Sequence, residues 1–183
     1  MKTLAGMKIA VLMANGFDEP MFLAAQKQVQ ELGATMRIIS TNQGLVNGWN
    51  GSGWGHNYAV DAPLNTALGV DYNALIIVGG ERSMDKLKMT AHTRRFIGSF
   101  MASQKPVIAM GDAIMLMAHA DQLQGKRVSG DANAQTMVEQ AGATWSQDES
   151  CKDGNMLSGA NMDDMREDMA EMLMKAEDMP QAA

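Results

Sequence analysis

Apolar residues fall along this chain in two rhythms, short continuous runs and helical spacings, and the alternation of the two predicts its elements. Lys8-Ile9-Ala10-Val11-Leu12-Met13 is a continuous run of the kind needed by a strand buried on both faces. After it, Gly16 permits a tight turn, Asp18 can cap a helix and Pro20 suits a first helical turn. Phe22, Ala25, Val29 and Leu32 then recur at helical spacing and predict a helix from about Glu19 to Leu32, closed by Gly33. Thr35 to Ser40 reads as the second strand, and Asp71 to Val78, ending in Gly79-Gly80, as the third. Between them, Thr41 to Val60 is rich in Gly and Asn and carries Trp49, Trp54, His56 and Tyr58. It reads as a short hairpin or irregular surface excursion, its rings sealing a sheet edge more simply than forming a partner site.

The second half continues the alternation. Glu81 to Leu87 reads as a loop or turn, and Thr90 to Ser103 as a helix leading into the strand Lys105–Met110. Ala113 to Ala120 is a short helix, Gly125 to Ser129 a turn entering another strand, and Ala132 to Ala141 a helix closed by Gly142. Trp145–Cys151 and Met156–Ser158 read as two short strands around the Asp153-Gly154 turn. In a last helix from near Asn161, Met162, Met165, Met169 and Met172 share one face and the acids lie largely away from it, as in a helix laid on a sheet. The pattern gives an α/β fold, a flavodoxin-like three-layer α/β/α sandwich with a mainly parallel sheet. Residues 1–177 are expected to form one domain, with 178–183 a disordered tail.

Composition narrows the function classes. With 183 residues, 46% of them hydrophobic, the chain can bury a sheet on both faces. The net charge of −6, without clustered Lys and Arg, argues against a nucleic-acid partner. No apolar run is long enough to span a bilayer and no export signal is evident, so a cytoplasmic location without membrane contact is expected. Cys151, the single cysteine, has no intrachain partner, and neither the cysteine nor the three histidines show metal-ligand spacing. No metal or cofactor is expected. The 19 methionines replace rings in the core.

Chemistry in such a sheet usually sits at a strand-to-helix corner, here Met110-Gly111-Asp112-Ala113, where no nucleophile stands. What remains is a pair of acids. Asp18 and Asp112 each precede a helix and either cap it separately, the simpler reading, or approach one another as a proton-sharing pair or weak cation or polar-ligand site. Glu81 and Arg82, beside Gly79-Gly80, either line the mouth of that corner or form a solvated charge pair.

Several of these segments together resemble one family. Asn15-Gly16-Phe17-Asp18-Glu19, Val78-Gly79-Gly80, Lys105-Pro106-Val107, Leu123-Gln124-Gly125-Lys126-Arg127 and Gly142-Ala143-Thr144-Trp145 follow the order and spacing of the ThiJ/PfpI superfamily, whose class I glutamine amidotransferase-like members include PfpI-type intracellular proteases, deglycases, glyoxalases and chaperones. The resemblance puts Asp18 at the family's acidic position, Gly111 at its cysteine and Asp112 at the adjacent histidine, with the N–H groups of Gly80 and Asp112 matching its oxyanion hole. Asp85 matches an acid that PfpI-type proteases bring from a neighbouring subunit. Glycine cannot attack a carbonyl, so the departure implies a catalytically degenerate protein. The elbow sequence is similar to that of the cysteine-less C-terminal domain of large-subunit catalases. The expectation is a binding, assembly or stress-protection role, in a homo-oligomer that takes a small polar ligand. The candidate ligand-binding residues are Asp18, Gly79, Gly80, Glu81, Gly111 and Asp112, with Asp85 an interface acid. Two alternatives stand: a hydrolase or glyoxalase-like enzyme using Asp18, Asp112 or intersubunit residues, and a methionine-based oxidant sink.

Overall fold

The computed structural model describes residues 3–178 of the 183, so most of the expected tail lies outside the described residues. The chain runs β1 (Lys8–Leu12), β2 (Phe17–Asp18), α1 (Glu19–Glu31), β3 (Thr35–Ser40), β4 (Leu45–Trp49), β5 (Trp54–Ala59), β6 (Ala62–Pro63) and β7 (Ala74–Ile77). It continues through α2 (Glu81–Leu87), α3 (Ala91–Ala102), β8 (Val107–Met110), α4 (Ile114–His119), β9 (Arg127–Val128), α5 (Gln135–Gln140), β10 (Thr144–Trp145), β11 (Ser150–Asp153), β12 (Met156–Gly159) and α6 (Met162–Glu177).

Seven strands form the central sheet in the order β11-β12-β8-β7-β1-β3-β6. Every pair is parallel except β11 with β12, which is antiparallel. The continuous run of β1 is explained by its two faces. Ala10 and Leu12 enter a core with Phe96, Ile97 and Phe100 of α3 and Leu116 of α4, whereas Ile9 and Val11 enter a second core with Phe22 of α1 and the methionines of α6. Alternate residues of one strand thus meet different helical layers. The predicted α/β/α sandwich is therefore present. Met162, Met165, Met169 and Met172 are 2%, 0%, 0% and 7% exposed, as expected of a stripe laid against the sheet.

The structure departs from the sequence reading at Glu81–Leu87 and at Trp145. Glu81–Leu87 is a helix, not a loop; it starts at Gly80 without a side-chain cap, and Ser83, Met84 and Leu87 are its buried face. Trp145 belongs to β10, which pairs in parallel with β9 apart from the central sheet, so only β11 and β12 form the hairpin. Of the two readings offered for 41–60, the hairpin is the one present: β4 pairs with β5, and β4 also pairs in parallel with β2. It is stitched to the end of β1, with Gly16 N–H donating to Asn47 O at 2.8 Å and Asn47 N–H to Asn15 Oδ1 at 2.8 Å. That pairing carries the hairpin across the C-terminal edge of the sheet, where the parallel strands end.

Candidate functional site

The ends of β1, β7 and β8 converge on a cavity of about 600 Å³. Asp18, Gly80, Glu81, Gly111 and Asp112 line it. Gly79 sits beside this wall, where a Cβ would lie 2.5 Å from Asp112 Oδ1. Asp85 is elsewhere, exposed on α2 and paired with Lys88 at 3.0 Å.

Each corner is set by its backbone. Asp18 Oδ1 accepts the Met21 N–H at 3.1 Å and so caps α1, satisfying one of the orphan donors of a helix start. Its own N–H donates to Gly79 O at 2.8 Å, which draws the β1 and β7 corners together. Gly80 has φ +127°, and a Cβ there would press on the backbone of Gly16 and Asp18. Gly111 has φ +65°, so the left-handed corner survives.

The space over Gly111 is filled. A Cβ on that residue would lie 2.5 Å from the Met21 methyl, and the Met21 sulfur accepts the Gly79 N–H at 3.2 Å. The Gly80 N–H, one of the two donors expected of an anion hole, donates to Asp112 Oδ1 at 2.7 Å. Asp112 therefore does not cap the helix that follows it, contrary to the simpler expectation. No hydrogen bond joins Asp18 and Asp112; each carboxylate takes a different backbone donor. They still feel one another. Burial pushes the Asp112 carboxyl above its ordinary range, the Gly80 N–H opposes that shift, and the charges of Asp131 and Asp18 add to it.

Sequence reasoning missed three contributors. Met21, in the first turn of α1, carries no sequence signal of a site residue. Asp131, which lines the cavity, caps the turn 132–134 by accepting the Asn133 N–H at 2.9 Å, and its N–H donates to Gly111 O at 3.0 Å. Trp49 comes from the hairpin to form a wall, with the Arg82 guanidinium 3.9 Å from its ring centroid and Trp54 edge-on at 5.4 Å. Glu81 and Arg82 thus line the mouth instead of forming a detached pair.

The hairpin is fastened by a residue outside the cavity lining. Glu19 is 5% exposed, and its carboxylate accepts the His56 N–H at 2.7 Å and faces His56 Nδ1 at 2.9 Å. The His56 side-chain hydrogen bond is the main reason its pKa lies below the ordinary range; burial opposes it. Gly48 and Gly55 flank that carboxylate, and a Cβ at Gly48 would sit 2.6 Å from Glu19 Oε2. The only thiol, Cys151, is in β11, outside the cavity lining; it donates to Arg127 O at 3.4 Å, and burial raises its pKa.

Comparison with known proteins agrees with this architecture. The sequence pattern of the DJ-1/PfpI family matches residues 7–176. General stress protein 18 of Bacillus subtilis is 30% identical over 139 residues, covering 75% of this chain and 78% of that protein. A putative cysteine protease of the same organism, YraA, is 26% identical over 159 residues, covering 86% and 91%. A two-domain protein of Anabaena variabilis, with DJ-1/ThiJ/PfpI-like and ferritin-like domains, superposes with a TM-score of 0.84 at 20% identity over 95% of this chain. This chain spans 50% of that protein. With a family match over nearly its whole length and the fold to accompany it, this chain belongs to the DJ-1/PfpI family.

Proposed function

We propose that this protein is a catalytically degenerate member of its family that acts by binding or assembly, with a small polar ligand at the β7–β8 corner. One observation supports this reading: at Gly111, which the family resemblance puts at the cysteine position, the Met21 methyl fills the space a side chain would need. Covalent acyl or hemithioacetal chemistry needs a thiolate there, and the hidden, raised-pKa Cys151 does not supply one. The Gly80 donor, engaged by Asp112, is less free to receive an oxyanion. The elbow's similarity to the cysteine-less domain of large-subunit catalases fits the same reading. A stress-protection role takes its support from the name of general stress protein 18. Homo-oligomerisation, with Asp85 as an interface acid, is part of this proposal and rests on family analogy.

A second reading, a hydrolase or glyoxalase-like enzyme, draws support from the raised Asp112 pKa and the gathering of Asp18, Asp112 and Asp131 around one cavity. Turnover of methylglyoxal and of peptide substrates by the purified protein separates the two. The binding reading expects no turnover above the buffer rate. Robust turnover lost in Asp18→Ala would replace it with the enzymatic one. An oxidant sink built on the α6 methionines finds little support in their burial.

A further inference from the structure

The methionine whose environment suits oxidation is not in α6 but at the corner. Met21 is half-buried and lines the cavity, while the α6 stripe is shielded by the sheet. Its sulfur already faces a backbone donor, the Gly79 N–H at 3.2 Å. A thioether is a weak acceptor, so this strong donor, at a corner otherwise tightly bonded, is poorly matched. A sulfoxide oxygen would match it well.

We infer that Met21 is a site of reversible oxidation by hydroperoxides, its sulfoxide oxygen received by the Gly79 N–H. A lone pair of the sulfur attacks the distal peroxide oxygen, an S–O bond forms and the O–O bond breaks. The departing hydroxide or alkoxide takes up, through water, the proton that the transferred oxygen gives up. The thioether is oxidised by two electrons to the sulfoxide, and the peroxide is reduced to water or an alcohol. As the transferred oxygen loses its proton it becomes the negatively polarised oxygen of the sulfoxide, where a fixed N–H stabilises it.

The oxygen cannot fit between sulfur and nitrogen at their present separation. The sulfur has to back away from Gly79, and the cavity that Met21 lines gives it room. An unbranched side chain with three rotatable bonds makes that movement without disturbing α1. The methyl then leaves its place over Gly111. Oxidation therefore changes the shape of the corner, and reduction of the sulfoxide restores it. The inference goes beyond the binding reading and does not depend on any ligand.

The test is a time course with hydrogen peroxide, each methionine followed by peptide mapping. Met36 and Met115 are half-buried too and serve as internal controls. One well-placed hydrogen bond to the developing oxygen gives Met21 an advantage of up to about tenfold over them. Exposed Met89 reacts on its own account, being 83% exposed. Fluorescence of Trp49, in the same cavity, should change in step with Met21 and return on treatment with methionine sulfoxide reductase; Met21→Leu, a near-isosteric change, should abolish that component. Oxidation of Met21 no faster than Met36 and Met115 would overturn the proposal, as would a fluorescence change that persists in Met21→Leu. If that variant does not fold, the ranking of rates in the unaltered protein still decides.

Discussion

Glu19 and Asp112 are carboxylates beside the same end of the sheet, and their surroundings push them in opposite directions. Glu19 is nearly inaccessible yet stays ionised more readily than usual, because His56 offers it both a backbone N–H and Nδ1. Asp112 has the short Gly80 hydrogen bond but also burial and the charges of Asp131 and Asp18, and its proton is held more tightly than usual. At Glu19 the donors outweigh burial, whereas at Asp112 burial leads and the neighbouring acids add to it, which separates a carboxylate that fastens from one kept under electrostatic strain.

The largest expected effect comes from cutting the fastening. Glu19→Ala should lower stability by about 2 kcal/mol, by leaving the hairpin donors to water and a gap between Gly48 and Gly55. Thermal unfolding would read this as a fall of about 4–8 °C. A fall under a degree would mean that Glu19 is only a passenger. Gly48→Ala tests the same point from the other side, since its methyl meets a carboxylate pinned by His56 and cannot move it freely. A loss of about 1.5 kcal/mol is expected in a denaturant titration. Asp18→Ala, removing a helix cap, should lower stability by about 1 kcal/mol in the same titration.

Asp112→Asn should act in the other direction and least. A raised carboxyl pKa means that the folded chain holds the proton more tightly than the unfolded one. The group's contribution is therefore greatest below the ordinary aspartate value of about 3.9 and declines as pH rises through the raised one. Asparagine keeps an oxygen for the Gly80 N–H without the charge. The variant should gain about 0.5 kcal/mol at neutral pH, a modest figure because water still reaches the group, and nothing below pH about 4. Glu19 has the opposite sign: its lowered pKa stabilises the fold above the ordinary glutamate value and is lost as pH falls through the lowered one. Melting curves across pH that show a destabilised Asp112→Asn at neutral pH would erase the contrast.

Much of the scaffold was legible because its causes are local. The β1 run, the Asp18 cap, the limits of β3 and the Met162–Met172 stripe each follow from a few neighbouring residues. So did the acids and glycines at the corners, through family order. The contents of the site were not legible, because they depend on contacts distant in sequence. Glu19 and His56 are 37 residues apart, and Gly79 and Met21 are 58 apart. A first-turn glutamate and a first-turn methionine look alike whether they face solvent or complete a cavity. The one available hint was glycine at both 48 and 55, in strands that would otherwise favour side chains. α2 escaped notice because seven residues give a helical period too little length to register.

The two ends of the central sheet limit how copies of this chain could join. At one end β11 presents Lys152, held 3.9 Å from Asp168 and 3.6 Å from Glu171 of α6, a charge that discourages a foreign strand. At the other, β6 is two residues long and includes Pro63, which has no N–H to donate. Neither edge is a good template for a continuous sheet across two subunits. An assembly joined through helix or hairpin surfaces would leave the hydrogen-bond ladder of each subunit complete in itself.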